Sequence, residues 1–223
     1  PQQHFFNDTA TTEIYTEDAS SAASDVYKRQ IVERAIRQLA ALHAQGQQAS
    51  FSINLSGQAF EDVTLLPLIK NLLGETGLEP TWLTFEITET AAIANLAAAE
   101  EFISALKDIG CQFALDDFGS GFSSFAYLKH LPVDKLKIDG GFVKGMAHSS
   151  VDQAMVESMN QIAHALGKQT IAECVENEAT LQILRQMGVD RAQGNYIGRP
   201  REALMSIAQV AIPAETGVTA SSC

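Results

Sequence analysis

Basic residues are scarce in this chain of 223 residues, which carries 15 lysines and arginines against 27 aspartates and glutamates. The formal net charge is −12, and no basic cluster stands out along the sequence. Binding to a nucleic-acid polyanion draws on clustered Lys and Arg, so neither DNA nor RNA is an expected partner. No apolar run reaches the length that a membrane-spanning helix needs.

Cysteine is also scarce. Cys111, Cys174 and Cys223 are odd in number and their spacing matches no metal site. We therefore expect reduced thiols in a cytoplasmic protein rather than a disulfide framework, and the sequence leaves open whether a longer parent protein is tethered to a membrane. What is present, 46% apolar and 19% charged residues, is ordinary for a globular protein and sufficient for one sizeable core.

The first thirty residues do not resemble the rest of the chain. They lack an initiator Met, and residues 7–16 read like the translation of a common short-read sequencing adapter. Residues 20–30 resemble the translated transposase end of the same library chemistry, with residues 17–19 where an index would lie. A genuine disordered N-terminal arm is the alternative. In both cases we expect residues 1–30 to be a leader and authentic sequence to start near Ile31.

From Ile31 onward, helix and strand patterns alternate with short turns between them. Helices are predicted near 31–42, 65–73, 96–106, 151–166 and 181–187, and a shorter segment at 122–130. Strands are predicted at 49–56, 83–88, 111–116, 133–138, 170–173 and 191–197. This alternation implies right-handed crossovers and a parallel sheet. No Gly-rich dinucleotide loop follows any strand, so a TIM-type (β/α)₈ barrel is favoured over an open doubly wound sheet.

Polar side chains stand where the predicted strands end: Asn54, Glu86, Asp116 with Asp117, Lys137 with Asp139, Glu173 and Gln193. One such residue alone is more often a helix N-cap or a solvated loop charge. A series is different, because all strand C-termini of a parallel barrel share one face. Converging carboxylates raise one another's pKa unless something positive neutralises them, and oxygen ligands suit Mg²⁺ or Mn²⁺. The series therefore predicts a metal site on the barrel rim.

Two pairs within this series suggest the chemistry. Asp116 and Asp117 are adjacent, and both can reach the rim if the strand ends there and the following glycines turn the chain. One of them would then bridge two ions, which in-line phosphoryl displacement uses. Lys137 and Asp139 are two residues apart and project from one strand face, which places an ammonium beside a ligand carboxylate. Taken singly, Lys137 also fits a surface lysine, and the glycines a plain turn.

Six motifs extend this pattern: Asn54-Leu-Ser56, Glu86-Ile-Thr-Glu89, Leu115-Asp-Asp-Phe-Gly-Ser-Gly-Phe-Ser-Ser124, Leu131-Pro-Val-Asp-Lys-Leu-Lys-Ile-Asp139, Ala172-Glu-Cys-Val-Glu176, and Gln193-Gly followed by Gly198-Arg-Pro200. In this order they resemble the EAL-domain cyclic di-GMP phosphodiesterases, from about Ile31 to Pro200. The resemblance implies a TIM-type barrel that hydrolyses the bacterial second messenger cyclic di-GMP to linear pGpG with two Mg²⁺ or Mn²⁺ ions. It also implies a homodimer, and the family is often fused to upstream sensor or diguanylate cyclase domains.

The resemblance assigns roles motif by motif. One metal would be bound by Asn54, Glu86 and Asp116, and the second by Asp116, Asp117 and Asp139. Lys137 would hold the nucleophilic water or the phosphate, and Glu173 would act as a metal ligand or general base. Gln193 and Glu176 would support the site or the substrate. Glu89, by itself an ordinary first-turn acid, would anchor the loop from Asp117 to Ser124 that couples dimerisation to metal binding.

Two departures from the family pattern matter. Cys174 replaces a glycine, a modest change in a β conformation and a worse one if the backbone needs a positive φ. The Glu-Ala-Leu motif that names the family supplies a first-metal ligand and belongs before Ile31, but residues 1–30 hold nothing like it. We therefore expect an incomplete barrel that lacks its first strands and has an open edge.

Two function classes follow for the longer parent protein. The favoured one is an active phosphodiesterase, of which this chain is a truncated piece with little activity of its own. The alternative is a non-catalytic module that binds cyclic di-GMP or a partner protein, and another metal hydrolase on the same barrel is a remote third. Residues 31–205 are predicted to form the truncated domain, and residues 206–223 a helix end and tail.

Overall fold

A computed structural model of the chain describes residues 10–14, 22–121 and 125–198, with the backbone alone for 10–14 and 22–27. The strands in this part are β1 (Ala10–Ile14), β2 (Ala49–Asn54), β3 (Leu83–Thr88), β4 (Gln112–Phe118), β5 (Lys135–Ile138), β6 (Gln169–Ala172) and β7 (Arg191–Ala192). The α-helices are α1 (Ala22–Ala44), α2 (Leu65–Thr76), α3 (Glu89–Ala94), α4 (Leu96–Ile109), α5 (Gly140–Val143), α6 (Ser150–Ala165) and α7 (Glu178–Gln186). Short 3₁₀ turns lie at Gly57–Phe60, Pro80–Trp82, Phe125–Lys129 and Met146–His148.

The strands form one sheet in sequence order, from β1 to β7, and every neighbouring pair is parallel. A parallel pair needs a crossover connection, and α-helices supply it between successive strands, except between β4 and β5, where the described residues hold the 3₁₀ turn Phe125–Lys129. The six strands from β2 to β7 curl into an open half-barrel. The predicted TIM-type barrel in an incomplete form is therefore confirmed, and all strand C-termini lie along one edge.

Residues 1–30 contribute to this fold at two places. Strand β1 pairs with β2 in the register Ala10↔Ala49 to Ile14↔Ile53, and helix α1 begins at Ala22. The boundary near Ile31 and the adapter origin of residues 1–30 stay predictions. The tail at 206–223 lies outside the described residues.

The core lies between the outer face of the sheet and the helices. Phe51, Phe85 and Phe113 are fully buried on successive strands and face the helical layer. Each buried phenylalanine stabilises the fold by about 1.5–3 kcal/mol. Polar residues such as Thr84 and Glu86 alternate with them along β3 and face the barrel interior. This alternation sends one set of side chains into the core and the other into the site.

Some predicted boundaries are wrong, for local reasons. Strand β4 runs to Phe118, beyond the predicted end at Asp116. Strand β7 stops at Ala192, because the chain turns near Gly194. Gly194 lies so close to the Val175 backbone that an added Cβ would be 2.2 Å from the Val175 nitrogen. Helix α2 runs past its predicted end near Leu73 to Thr76, and the left-handed Gly77 caps it. The segment at 122–130 is a 3₁₀ turn from Phe125, and residues 122–124 are outside the described part.

Helices α3 and α5 were not predicted; both are short and lie directly after strands β3 and β5. Among the described residues, no helix combines the length and the apolar character that crossing a membrane requires.

Candidate active site

The strand ends bring the predicted polar series to one edge of the sheet. Asn54 ends β2 and lies beside Glu86 of β3 in register, and Thr88 of β3 lies beside Asp116 of β4. Lys137 lies in β5 next to Ile171 of β6. Glu173 follows β6 and Gln193 follows β7 directly. The parallel register therefore turns residues far apart in sequence into neighbours.

Lys137 is the centre of this edge. Its Nζ lies 2.8 Å from Glu86 Oε2, 3.1 Å from Asp116 Oδ1 and 2.9 Å from Glu173 Oε1. The lysine side chain is only 1% exposed. A buried ammonium is costly unless it is paired, and here it is surrounded by a carboxylate of β3, one of β4 and one directly after β6. Lys137 is thus a fixed positive charge within an acidic group rather than a surface lysine.

A β-bulge explains how Asp116 and Asp117 both serve this edge. Leu115 pairs with Leu136 and Phe118 pairs with Ile138, so β4 takes three residue steps where β5 takes two. The extra residue lies in this stretch, where Asp117 has φ +54° and its N–H donates to Asp116 Oδ1 at 3.0 Å. Bulges re-aim side chains in this way next to active sites. The strand continues through the aspartates instead of ending at them.

The carboxylates of this edge repel one another. Burial raises the pKa of Asp117, and the charges of Asp116 and Asp139 raise it further while Lys137 opposes them. Asp139 caps helix α5, where its Oδ1 accepts the Gly141 N–H at 2.7 Å. We call Glu86, Asp116, Asp117, Lys137, Asp139 and Glu173 the rim cluster. With five carboxylates and one ammonium, its charge favours cation binding.

Three members of the rim cluster are placed for a shared ion. Asp116, Asp117 and Glu173 each offer an oxygen, and these oxygens lie within 4.8 Å of one another. Hard cations such as Mg²⁺ take carboxylate oxygens of this kind. The donor set therefore fits a hard divalent cation.

Cys174 has a strained backbone beside this cluster. Its φ is +53°, so the unfavourable alternative for the glycine-to-cysteine departure applies. The side chain lies against Gly140, where an added Cβ would be 2.5 Å from Cys174 Sγ. Burial raises the pKa of the thiol, which favours the protonated form over a metal-binding thiolate.

Three other predicted residues lie around the rim cluster. Gln193 connects two loops through its backbone, since its N–H donates to Ala172 O at 2.8 Å and its O accepts the Val175 N–H at 2.9 Å. Glu176 is exposed in the loop before α7, so the structure does not bring it into the cluster. Glu89 is buried at the start of α3 and its carboxylate reaches the segment that follows Asp117.

Tyr127 was not singled out by the sequence. Its hydroxyl donates to Glu89 Oε1 at 2.6 Å, which joins the 3₁₀ turn to the same network. A tyrosine within the run Phe-Ala-Tyr-Leu reads as an ordinary core residue, and only the burial of its acidic partner could have drawn attention to it.

The sequence of the chain is similar to those of known proteins. A family model described as the EAL domain matches residues 16–200. The cyclic di-GMP phosphodiesterase PdeB of Shewanella oneidensis is 39% identical over 173 residues, which cover 78% of this chain and 20% of that protein. The chain spans between 19% and 27% of the length of such curated relatives.

Two of the solved structures with a similar fold are complexes with c-di-GMP. The complex of the PaMucR phosphodiesterase with c-di-GMP superposes with a TM-score of 0.75 at 34% identity and covers 80% of this chain and 73% of that one. The FimX EAL domain from Pseudomonas aeruginosa, bound to c-di-GMP, gives a TM-score of 0.74 at 30% identity and covers 80% of this chain and 72% of that one.

Proposed function

Since the chain belongs to the EAL domain family, we propose that the protein of which it forms part hydrolyses cyclic di-GMP to linear pGpG through a metal-activated water. The observation that carries the proposal is the buried ammonium of Lys137, held by Glu86, Asp116 and Glu173 beside two further carboxylates. An acidic cluster around one fixed cation suits chemistry on a phosphodiester, whose oxygens need positive partners.

Two Mg²⁺ or Mn²⁺ ions are the proposed cofactors. Asn54, Glu86 and Asp116 would hold one ion, and Asp116, Asp117 and Asp139 the other. When bound, such ions polarise the phosphate and lower the pKa of a water molecule. The raised pKa of Asp117 supports this assignment, because unbalanced carboxylates favour an added cation.

Lys137 and Glu173 are the proposed catalytic residues. Three carboxylates fix the Lys137 ammonium, so it would present a preorganised charge to the attacking water or a phosphate oxygen. The Glu173 side chain is 16% exposed, more than Lys137 at 1%, so it reaches further towards solvent. We assign to Glu173 the general-base role, in which it takes a proton from the water.

Substitution of Glu173 in the full-length parent tests these roles. Glu173→Ala should lower turnover by at least about 10²-fold while some binding of cyclic di-GMP persists. Chromatography of pGpG measures turnover, and calorimetry measures binding. Glu157→Ala, the same change at an exposed position of α6, is the matched control and should leave both unchanged. Unchanged turnover in Glu173→Ala would refute the assigned role.

A non-catalytic module that binds cyclic di-GMP or a partner protein is the second candidate. Residues 1–30 hold no Glu-Ala-Leu motif, so the chain as given lacks one metal ligand that the family pattern supplies. We propose that this chain alone has little activity, and robust Mg²⁺-dependent formation of pGpG by residues 31–223 would contradict that. A parent that binds cyclic di-GMP but never forms pGpG would establish the binding module instead.

Further expectations concern the whole protein. We propose a cytoplasmic domain that forms a homodimer, with a sensor or diguanylate cyclase domain upstream. We also propose that residues 31–205 are its native part. Sequencing reads across the codon for Ile31 would test the last point, since they would show whether Glu-Ala-Leu lies upstream.

A further inference from the structure

A buried hydrogen-bond network links the bulge in β4 to the 3₁₀ turn after it. Glu89 Oε2 accepts the N–H of Gly119 at 2.9 Å, and Glu89 Oε1 accepts the hydroxyl of Tyr127 at 2.6 Å. Gly119 lies two residues after Asp117, and Tyr127 lies in the turn that follows. One carboxylate therefore joins the two ends of the segment 119–127.

The carboxylate of Glu89 depends on these two donors. Glu89 is only 1% exposed, and among the described residues no ion pair includes it. Charge-assisted hydrogen bonds are stronger than neutral ones, and a buried carboxylate that loses one is left with a costly desolvated oxygen. Burial and the bond to Glu89 both raise the pKa of the Tyr127 phenol, so the hydroxyl stays a donor at any physiological pH.

The space around Gly119 also restricts this segment. Gly119 has φ +97°, and an added Cβ would lie 2.4 Å from the terminal methyl carbon of Met159. Phe118 and Phe125 pack against each other with ring centroids 5.2 Å apart. Apolar packing thus brings the two ends of the segment together, and the Glu89 carboxylate fixes their polar groups.

Asp117 depends on the same segment for its direction. Its positive φ is unusual for a residue with a side chain, and Ser120 N–H donates to Asp117 O at 3.1 Å to close the turn. A strained residue persists when its surroundings over-determine it. The bond from Gly119 to Glu89 is a constraint on the residue after Phe118, close to this strain.

We propose that Tyr127 is a positioning residue for the rim cluster: its hydroxyl orients the Glu89 carboxylate, which holds Gly119 and so sets the direction of Asp117. Tyr127 acts on the rim cluster through Glu89, to which its hydroxyl donates. The effect of Tyr127 on hydrolysis rests on the proposed function. The effects of Tyr127 on the Gly119 backbone and on cation binding do not.

Tyr127→Phe in the full chain removes this hydroxyl and keeps the ring. We expect the Gly119 amide to exchange about tenfold faster by NMR. We expect the dissociation constant for Mn²⁺, measured by calorimetry without nucleotide, to rise about tenfold, as when a partner of a metal ligand is removed. Tyr196→Phe is the matched control, because it removes a hydroxyl that donates to the exposed Glu178, and it should change neither value.

Thermal unfolding of both variants separates positioning from stability. If Tyr127→Phe lowers the melting temperature but leaves Gly119 exchange and Mn²⁺ affinity as in the wild type, the proposal is overturned. If the wild type binds no Mn²⁺, Gly119 exchange decides alone. If Tyr127→Phe does not fold, Glu89→Gln replaces it, and unchanged Gly119 exchange in that variant overturns the proposal. Neither readout uses cyclic di-GMP, so failure here is distinct from failure of the proposed hydrolysis.

Discussion

At the floor of the half-barrel, where the strands begin, charged side chains bind backbone groups as well as side chains, whereas at the rim, where the strands end, they bind mainly to one another. At the floor, Lys168 Nζ donates to Leu131 O at 2.8 Å and to Val133 O at 2.9 Å. Asp134 accepts the N–H of Phe113 at 2.9 Å. These bonds connect the segment before β6 to the segment before β5, and the segment before β5 to β4.

The rim cluster concentrates charge instead. The ammonium of Lys137 is shared among Glu86, Asp116 and Glu173. The pKa of Asp117 is raised by burial and by the charges of Asp116 and Asp139. Two residues there, Asp117 and Cys174, have positive φ without being glycine. In barrels of this type, polar groups at the floor generally serve stability and those at the rim generally serve function. Here the same strands carry both kinds of group.

The largest expected effect comes from removing the central ammonium. Lys137→Met should lower the free energy of unfolding by about 3–5 kcal/mol in EDTA, because it leaves three carboxylates together without their cation. Mg²⁺ should recover part of this loss. Urea denaturation with and without Mg²⁺ measures both effects. Lys70→Met, at an exposed position of α2, should show neither. A loss below about 1 kcal/mol in EDTA would mean that the rim does not depend on Lys137 for its charge balance.

An intermediate effect is expected from the contact between Gly140 and Cys174. Gly140→Ala places a methyl group against the Cys174 sulfur and should cost about 1–3 kcal/mol of stability. In a Cys174→Gly background the Gly140→Ala change should cost much less, because the sulfur is gone. Glycine also accepts φ +53° at position 174, so that background adds no backbone strain. Urea denaturation of the four proteins gives the coupling energy. If the two changes in unfolding free energy are additive, the methyl group added at Gly140 and the Cys174 sulfur do not compete for the same space.

The smallest effect is expected at the floor, from Lys135. This lysine is buried, its Nζ donates to Gln112 Oε1 at 2.6 Å and Thr84 Oγ1 at 3.3 Å, and burial followed by the charge of Arg191 lowers its pKa to about 8. Below about pH 8 it is charged in the folded and unfolded states, so folding bears the full desolvation cost. Lys135→Met should therefore raise stability at pH 7 by roughly 1 kcal/mol.

The pH dependence gives the sign of this effect. As pH rises from about 8 towards the ordinary value of 10.5, the folded state releases the Lys135 proton first, and the wild type gains stability. The advantage of Lys135→Met should shrink over that range. Denaturation at pH 7 and pH 9.5 measures the change, and an advantage that grows with pH would contradict the lowered pKa.

The sequence predicts the half-barrel and the rim series because both depend on repeating patterns. Alternating helix and strand signals fix a parallel sheet, and a parallel sheet places Glu86, Lys137 and Glu173 at one edge whatever the loops do. The charge of the series then indicates a cation site. These inferences need only the order of the elements.

What the sequence does not predict depends on contacts between distant segments. The end of β7 follows from the approach of Gly194 to Val175, and the burial of Lys135 follows from the side chains of neighbouring strands. Tyr127 resembles a core residue until Glu89 is found beside it. The conformation of Asp117 has no signal in Asp-Asp-Phe-Gly beyond a turn-forming glycine.

The bulge in β4 also changes the phase of its strand. Leu115 and Phe118 both belong to the apolar core, although residues an odd number apart on a regular strand face opposite sides. The part of β4 before the bulge and the part after it therefore follow two separate alternations, both tied to the same core. Deleting one residue between them would restore a single alternation, keep the sheet paired and leave room for only one aspartate at the rim.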